Sequence, residues 1–412
     1  MYMRDKKMNI KLNIWQLGLT AAIAFTPVFS QASGPGTISA VSVFSPSPAA
    51  VEFPYQEALL RFEKIVEAST DIEVDIIWVN EIAPDTRQDI FNKLKDGVDV
   101  HLTHGLPRHF IHGDGRDAFK DIFENLPFGL NTEEFQTWVK VGGGQELYDE
   151  FYEPDGLLPF IGGNTGTQFG GWFAEEINDV SQFNGLEIRI AGFASYVLKL
   201  FGADAFSSAV GEVNPLLLGT NDPPGPSGRT GPIDAAELCC PIVDFNFGVA
   251  GTAIGQGFVW HYPGWHEPTA NAQFVFNKSV FESYDAKTQE ILRAAMAQAA
   301  QETDLNFNNR NREALEEIKQ LEINGNSLQL HRFPDGVLED LRDKTENDLY
   351  VNLCKATAVA GLHDGTKNFK KLCEDVLGGV LSFQDSMGEY GRLSEGAYYL
   401  TRESKDEICP AL

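Results

Sequence analysis

Apolar and polar residues follow two different periods along the first part of the chain. Residues 36–43 have the composition of a strand, and residues 72–78 place apolar side chains at every second position, as a half-buried strand does. Residues 55–68 and 86–96 instead carry apolar side chains at helical spacing. A third strand is predicted over residues 98–102. Strands that alternate with helices predict a mainly parallel α/β sheet, whose ligands bind at the carboxyl ends of the strands.

Two capping residues mark the starts of further helices. Asn131 is followed three residues later by Glu134, which is the pattern of a capping box. Asp285 precedes a helical pattern that continues to Leu321. At a rise of roughly 1.5 Å per residue this helix would be about 50 Å long. We expect it to bridge two lobes or to reach a second copy of the chain, because it is longer than one lobe.

Residues 218–232 interrupt the order of strands and helices, because they are rich in glycine and proline. Such a composition predicts a loop. The loop is either a tolerated surface insertion or a lid or partner-recognition segment, and the pattern does not choose between these interpretations.

The N-terminus has the three regions of a secretory signal peptide. Four basic residues lie between positions 4 and 11, residues 14–25 form a short apolar run, and residues 30–32 resemble a small-x-small cleavage site. A membrane anchor is the alternative, but it needs roughly 20 apolar residues. We therefore expect residues 1–32 to be removed near Ala32 on export to the periplasm.

Acidic residues outnumber basic ones by a wide margin. The formal net charge is −27, and loss of residues 1–32, with four positive charges and one negative charge, would change it to −30. Neither nucleic acid nor anionic lipid is an expected partner of so acidic a chain.

Five cysteines are present, at positions 239, 240, 354, 373 and 409. In an oxidising compartment two of the three C-terminal cysteines are expected to pair, and Cys354 with Cys373 is the favoured pair. Adjacent Cys239 and Cys240 cannot easily bridge each other and lack the CxxC spacing of a metal site. We interpret them as small buried hydrophobic residues.

Glycines surround a group of polar residues in the segment GGNTGTQFGGWF, residues 162–173. Glycine lets the backbone approach a ligand closely, and the amide and hydroxyl side chains of Asn164, Thr165, Thr167 and Gln168 offer uncharged hydrogen bonds. The segment therefore suits a small polar ligand that is held without catalysis. It matches neither the Walker nor the dinucleotide-binding glycine spacing.

Downstream of this segment, charged residues lie within apolar stretches. Arg189 alternates with apolar residues in a predicted strand, where its guanidinium would pair either with a carboxylate ligand or with an acid of the protein. Asp234, Glu237 and Asp244 form an acidic group in the next apolar stretch. With an amide oxygen such as that of Gln168, these carboxylates suit a hard cation, but they are equally typical of a general acid and base or of solvated edge residues.

Four histidines, at positions 101, 104, 109 and 112, are candidates for a zinc site. Their H-x2-H-x4-H-x2-H spacing matches no common helical zinc motif, so the sequence does not favour zinc. A serine nucleophile elbow, G-x-S-x-G, is absent from the sequence as well.

Six segments in order carry a resemblance to one known family. They are LPFGLNTEE (126–134), GGGQELYDEFY (142–152), GNTGTQFGGWF (163–173), GLEIRIAGF (185–193), GPIDAAE (231–237) and HYPGWHEP (261–268). Together they resemble the extracytoplasmic solute receptors of tripartite ATP-independent periplasmic (TRAP) transporters. The likeness is greatest to the branch that binds 2-oxo acids and related monocarboxylates through a bound cation, and it extends from about residue 41 to about residue 373.

The resemblance implies an α/β fold with two lobes of the periplasmic-binding-protein type, joined by crossing strands and a long bridging helix. By this likeness residues 33–160 would form mainly the first lobe and residues 161–238 mainly the second. Residues 239–275 would return toward the first lobe. Residues 276–412 would contain the bridging helix, complete the lobes and form the C-terminal helices.

The resemblance also implies roles for individual residues. Arg189 matches the arginine that pairs with the ligand carboxylate, while Gln168 and Glu237 match the side chains that hold the cation, which would be sodium or calcium. Leu238 would offer its backbone carbonyl to the cation and its side chain to the pocket, where this branch usually has Trp. The missing indole implies room for an acid larger than pyruvate. Weaker pocket candidates complete the set: Asn164, Phe193 and Trp265.

Three functional interpretations remain open from the sequence. The first, implied by the resemblance, is a binding protein that delivers a small carboxylate to the membrane permease subunits of a TRAP transporter. The second is a secreted enzyme that uses Asp234 and Glu237 with a metal ion. The third is a ligand-sensing partner of a membrane receptor. A homodimer formed by exchange of the long helix is a further expectation from relatives.

Overall fold

Two mixed β-sheets organise the part of the chain that this computed structural model describes, namely residues 34–44, 54–79, 84–110, 120–359 and 369–393. The predicted signal peptide, Cys409 and His112 lie outside these ranges. The strands are β1 (Thr37–Ser42), β2 (Glu73–Trp78), β3 (Leu102–Gly105), β4 (Leu157–Asn164), β5 (Gly171–Phe173), β6 (Glu187–Arg189), β7 (Asp204–Phe206), β8 (Ala235–Ala236), β9 (Val259–Tyr262), β10 (Asn271–Asn277), β11 (Glu322–Ile323), β12 (Asn326–Ser327) and β13 (Gln329–Arg332).

Helices cover these sheets. They are α1 (Pro54–Ser69), α2 (Pro84–Asp96), α3 (Thr132–Val141), α4 (Gly144–Tyr152), α5 (Gly192–Leu200), α6 (Val213–Leu218), α7 (Pro241–Asn246), α8 (Val249–Gly255), α9 (Lys278–Ser283), α10 (Ala286–Lys319), α11 (Asp335–Lys344), α12 (Val351–Val359) and α13 (Phe369–Leu393), with a π-helical turn at Thr345–Tyr350. None of the helices described is long and apolar enough to cross a membrane.

The first sheet has the order β2-β1-β3-β10-β4. Strand β1 runs parallel to β2 and β3, whereas β10 is antiparallel to β3 and β4. Helices α1 and α10 supply apolar residues to the core of this sheet, where the rings of Phe62 and Phe274 lie 5.8 Å apart. The alternation predicted for residues 72–78 is confirmed, since β2 has every second residue more buried than its neighbours.

The second sheet has the order β13-β9-β5-β8-β6-β7. Strand β5 is antiparallel to both of its neighbours, and β6 is parallel to β8 and β7. Trp172 on β5 faces Trp260 on β9, and their rings stack 4.6 Å apart. Both indoles are fully buried, so this pair forms the centre of the second core.

Crossing segments and one long helix connect the sheets. Strand β4 leads into β5 of the second sheet, and β9 leads back into β10 of the first. Helix α10 then runs for 34 residues, with the Asp285 side chain accepting a hydrogen bond from the Thr288 N–H at its start. The predicted two-lobed α/β fold with crossing strands and a long bridging helix is confirmed, while the residue ranges proposed for each lobe stay predictions.

One predicted strand is wrong in position. The third strand was expected over residues 98–102, but β3 begins at Leu102 and pairs with β1 through residue 104. Residues 97–101 leave helix α2 instead, and the Asn277 side chain donates hydrogen bonds to the carbonyls of Leu94 and Lys95 at that helix end. Val98 is 75% exposed for this reason.

The loop at residues 218–232 is folded onto the edge of the second sheet. Arg229 donates two hydrogen bonds to the Asp204 carboxylate and one to Glu187, and its guanidinium lies 4.5 Å from the Phe206 ring. Asp204 and Glu187 are paired across β6 and β7. The loop is thus anchored by charge at one end of these strands, and its role as insertion or lid stays a prediction.

The C-terminal helices are joined by a disulfide between Cys354 and Cys373, which confirms the predicted pair. Cys239 and Cys240 are buried free thiols, as interpreted from the sequence. Helix α13 packs on α3 and α4. The last described helix therefore contacts helices from the middle of the sequence.

Candidate functional site

Two of the predicted binding residues, Arg189 and Glu237, lie where neighbouring strands of the second sheet end. Arg189 is the last residue of β6 and is in register with Ala236 of β8, so Glu237 and Leu238 follow directly beside it. The Glu237 N–H donates to the Arg189 carbonyl at 2.8 Å. Because β6 and β8 are parallel, both chains leave the sheet at the same edge, which places a guanidinium next to a carboxylate-bearing turn.

Arg189 is buried and is held by backbone carbonyls. Its Nη1 donates to the Glu237 carbonyl at 2.5 Å and its Nη2 to the Ser208 carbonyl at 3.1 Å. Its Nε is buried and has no hydrogen-bond partner among the described residues. No described Asp or Glu lies within salt-bridge distance of Arg189. The alternative interpretation, in which Arg189 pairs with an acid of the protein, therefore does not apply to the described residues. Burial lowers the pKa of the guanidinium, and the Glu237 charge opposes this shift.

Gln168 and Glu237 lie on two segments that are hydrogen-bonded to each other. Both side chains are buried, and Gln168 Oε1 has no hydrogen-bond partner within the described chain. The Phe169 N–H donates to the Cys239 carbonyl at 3.1 Å, which fastens the segment after Gln168 to the segment after Leu238. A carboxylate, an amide oxygen and a backbone carbonyl are the ligands that sodium and calcium prefer. The residues present therefore fit the predicted cation.

His266 contacts this group and was not found from the sequence. Its Nε2 lies 3.3 Å from Glu237 Oε1, and both side chains are almost fully buried. Burial lowers the pKa of His266, but the Glu237 carboxylate more than offsets this and raises it above the ordinary value. Burial raises the pKa of Glu237, but His266 and Arg189 outweigh it, so the carboxyl group ionises more readily than usual.

A second charged cluster, Arg108 with Glu124 and Glu267, lies beside the first. Arg108 Nη2 is 3.0 Å from Glu267 Oε1, and the same guanidinium forms a close ion pair with Glu124. Both acids are buried, whereas the Arg108 side chain is 26% exposed. Glu267 lies 159 residues after Arg108, and only the HYPGWHEP segment that contains His266 and Glu267 gave a signal in the sequence.

Asn164 ends β4 and is tied to the bridging helix. Its N–H donates to Asp304 Oδ1 at 2.8 Å, and its side-chain oxygen accepts hydrogen bonds from Thr132 Oγ1 and the Gly166 N–H. Its Nδ2 is buried and has no hydrogen-bond partner among the described residues. The amide N–H groups of Asn164 are therefore oriented as donors, in the segment that also carries Gln168.

Trp265 is packed into the core next to the site. Its carbonyl accepts a hydrogen bond from the Phe128 N–H at 2.7 Å, and the two rings lie 5.6 Å apart. Phe128 has a φ of 57°, in the left-handed region. Gln384 of α13 donates to the Phe128 carbonyl at 2.5 Å, which holds this turn. The preceding Gly264 N–H donates to the Gln168 carbonyl at 2.9 Å, so Trp265 is joined through the backbone to one of the predicted cation ligands.

Leu238 and Phe193 contribute apolar surface. Leu238 is partly buried and packs against an apolar cluster drawn from distant parts of the chain, among them Phe44, Tyr55, Leu106, Ile242 and Phe307. Phe193 lies in the first turn of α5 and packs against a different cluster. No hydrogen bond or ring contact joins Phe193 to the other predicted residues in the described part of the chain.

The other candidates from the sequence are dispersed. Asp234 is exposed and accepts a hydrogen bond from the Glu187 N–H, and it lies at the opposite end of β8 from buried Glu237. Asp244 accepts from Trp172 Nε1 at 2.8 Å, and burial raises its pKa to about 7. His101, His104 and His109 bond to separate backbone groups. Across the described ranges, no three His, Cys, Asp or Glu side chains are arranged to hold a metal ion.

Known proteins share this arrangement of chain. A crystal structure from Colwellia psychrerythraea, a TRAP periplasmic solute-binding protein with bound calcium and pyruvate, is 26% identical, with a TM-score of 0.72 over 89% of this chain and 99% of that one. A TRAP periplasmic solute-binding protein from Pseudoalteromonas atlantica with bound sodium and pyruvate is also 26% identical, with a TM-score of 0.70 over 88% and 98% of the two chains.

A curated relative points in the same direction. A monocarboxylate 2-oxoacid-binding periplasmic protein of Nostoc sp. is 30% identical over 200 residues, which are 48% of this chain. The matched part spans 50% of the length of that relative. Over residues 47–350 the sequence matches the bacterial extracellular solute-binding proteins of family 7, DctP. The chain belongs to this family of solute-binding proteins.

Proposed function

We propose that this protein is the periplasmic receptor of a TRAP transporter. It binds a small monocarboxylate of the 2-oxo acid type together with sodium or calcium and delivers it to the membrane permease subunits. The observation that carries this proposal is the buried Arg189 guanidinium, which has no acid partner among the described residues and donates a hydrogen bond to the Glu237 carbonyl.

Charge balance explains why a carboxylate is the ligand. A buried guanidinium is costly unless an anion or several hydrogen bonds compensate its lost hydration. Arg189 has two carbonyl partners and one buried N–H group that is left without a partner among the described residues. A ligand carboxylate would satisfy that N–H and pair with the charge.

A cation would balance the negative charges that then meet at the site. Gln168 Oε1, the Glu237 carboxylate and the Leu238 carbonyl would hold it, and it would attract the ligand carboxylate and the neighbouring oxygen of a 2-oxo acid. The ionised state favoured at Glu237 suits this role. Calcium and sodium both occur with pyruvate in the related structures.

The side-chain pocket supports a ligand larger than pyruvate. Leu238 replaces the Trp that the resembling branch usually has, and it continues into an apolar cluster with Phe44 and Leu106, both partly buried. An apolar chain on the ligand would cover these side chains. Burial of one methylene group contributes about 0.8 kcal/mol, so an acid with two or three more carbon atoms would gain affinity.

Binding without chemistry is part of the proposal. The alternative enzyme would require Asp234 and Glu237 to act as a pair, yet the first is exposed and engaged by the Glu187 N–H while the second is buried beside His266. The membership in a family of solute-binding proteins also favours a receptor.

Calorimetric titration with a series of 2-oxo acids of three to six carbon atoms, with and without sodium or calcium, tests the proposal. Arg189→Ala should weaken binding by about 2 to 5 kcal/mol, mostly because a buried carboxylate is left unpaired. Arg332→Ala, which removes an exposed arginine of the same sheet, is the matched control. Glu237→Gln should weaken cation binding, so that sodium or calcium increases the affinity for the acid less than it does in the wild-type protein. Equal dissociation constants for Arg189→Ala and the control would refute the assignment.

A further inference from the structure

The bridging helix sends one amide side chain to two separate backbone segments. Asn311 Nδ2 donates to the Thr165 carbonyl at 3.0 Å, and Asn311 Oδ1 accepts from the Ile242 N–H at 3.1 Å. A side-chain amide offers a donor and an acceptor on two different atoms, and both atoms of the Asn311 amide are used here.

The two segments are those that carry the proposed cation ligands. Thr165 precedes Gln168 by three residues in the crossing segment between β4 and β5. Ile242 lies in the first turn of α7 and follows Leu238 by four residues. Near the ligands these segments are joined by the hydrogen bond from the Phe169 N–H to the Cys239 carbonyl. Asn311 is thus an outer link that spans the same two segments from the helix side.

Packing and a hydrogen bond hold helix α10 in place next to Asn311. Phe307, one turn before Asn311, is fully buried and its ring lies 4.8 Å from that of Tyr55. Asp304 holds the Asn164 N–H at the start of the crossing segment. The contacts of Phe307 and Asp304 therefore fix the position of the helix that carries Asn311.

We propose that Asn311 is a positioning residue that sets the separation between Gln168 and the Glu237–Leu238 turn, and so the affinity for the cation. The inference rests on the proposed function, and Asn311 acts through backbone groups without touching the ligand. Sodium and calcium need their oxygen ligands within a few tenths of an ångström of an optimal distance. A small separation of the two segments would therefore weaken cation binding and the carboxylate binding that depends on it.

Asn311→Ala and Asn309→Ala form a matched pair for the test. Asn309 lies two residues earlier on the same helix, is exposed, and bonds to Glu313 on the surface. Calcium and sodium are titrated first alone and then with the series of 2-oxo acids. Loss of two hydrogen bonds predicts cation binding about tenfold weaker in Asn311→Ala. Asn309→Ala should bind like the wild-type protein.

The cation dependence separates positioning from a general loss of structure. In Asn311→Ala the stimulation of acid binding by the cation should fall, whereas residual binding without cation should match that of Asn309→Ala. If Asn311→Ala does not fold, Asn311→Ser, whose side chain is too short to reach both backbone groups, serves in its place. If wild type binds with cation dependence and the Asn311 variant keeps it in full, the inference is overturned alone. If wild type shows no cation-dependent binding, the proposed function fails, and the inference fails with it.

Discussion

Asp304 should make the stability of this protein fall as the pH rises toward neutrality. It is 7% exposed on helix α10, where it accepts hydrogen bonds from the Asn164 N–H and from Gln136. Burial outweighs these bonds and raises its pKa from 3.8 to about 7. An acid whose pKa is raised on folding stabilises the native state fully below its unfolded pKa, and this contribution is lost as the pH rises through the folded pKa.

Asp304→Asn provides the test, because an amide resembles the protonated acid and can still accept from the Asn164 N–H. With pKa values of 3.8 and about 7, the wild-type protein should lose about 2.5 kcal/mol relative to the variant between pH 5 and pH 8. Urea unfolding at four pH values over this range measures the difference. Parallel stability curves for the two proteins would refute the assignment of a raised pKa to Asp304. Asp340→Asn, at an exposed position of α11, controls for removal of an acid.

Three further perturbations have distinct expected outcomes. Gly264→Ala would place a Cβ atom against the backbone carbonyl of Gln168, so it should lower the free energy of unfolding by about 1 to 3 kcal/mol. Gly336→Ala, at a position of α11 with open space around it, should not lower the free energy of unfolding in the same denaturation assay. Leu238→Trp should shift the ratio of dissociation constants by about tenfold in favour of pyruvate over six-carbon acids, and an unchanged ratio in calorimetry would contradict the pocket assignment. Reduction of the disulfide between Cys354 and Cys373, which are 19 residues apart, should lower the free energy of unfolding by about 3 kcal/mol. Thermal unfolding with and without reductant measures this loss. A variant with both cysteines replaced by alanine should unfold at the same temperature with and without reductant.

The elements with clear periodicity or caps were predictable from sequence. Asn131 and Asp285 both cap helices in the structure, because the side-chain signals for these helix starts are local. Strand β3 was misplaced because the apolar side chain of Val98 suggested burial, while the hydrogen bonds of Asn277, far along the chain, decide where the helix before it ends.

The site was predictable only where one short segment carries the signal. Gln168, Arg189 and Glu237 lie in motifs with distinctive glycine and apolar neighbours. Arg189 donates to the Glu237 carbonyl, and the Phe169 N–H after Gln168 donates to the Cys239 carbonyl, while the shared ligand role of these residues stays a prediction. Arg108 and Asn311 lie in ordinary stretches, and their importance depends on which distant backbone they meet. Periodicity reports the face of an element, but it contains no information about contacts between segments more than a hundred residues apart.

The contact of Gln384 with Phe128 implies that the C-terminal helix supports the family-matched region. The match ends at residue 350, but the hydrogen bond to the Phe128 carbonyl comes from Gln384, beyond that end. A left-handed backbone costs a non-glycine residue roughly 1 to 2 kcal/mol, so a chain truncated after residue 350 would lose part of the support of the turn whose N–H donates to the Trp265 carbonyl. The appended C-terminal helix is thus a brace for the binding segment, and truncation boundaries for crystallisation or biosensor design should fall after it.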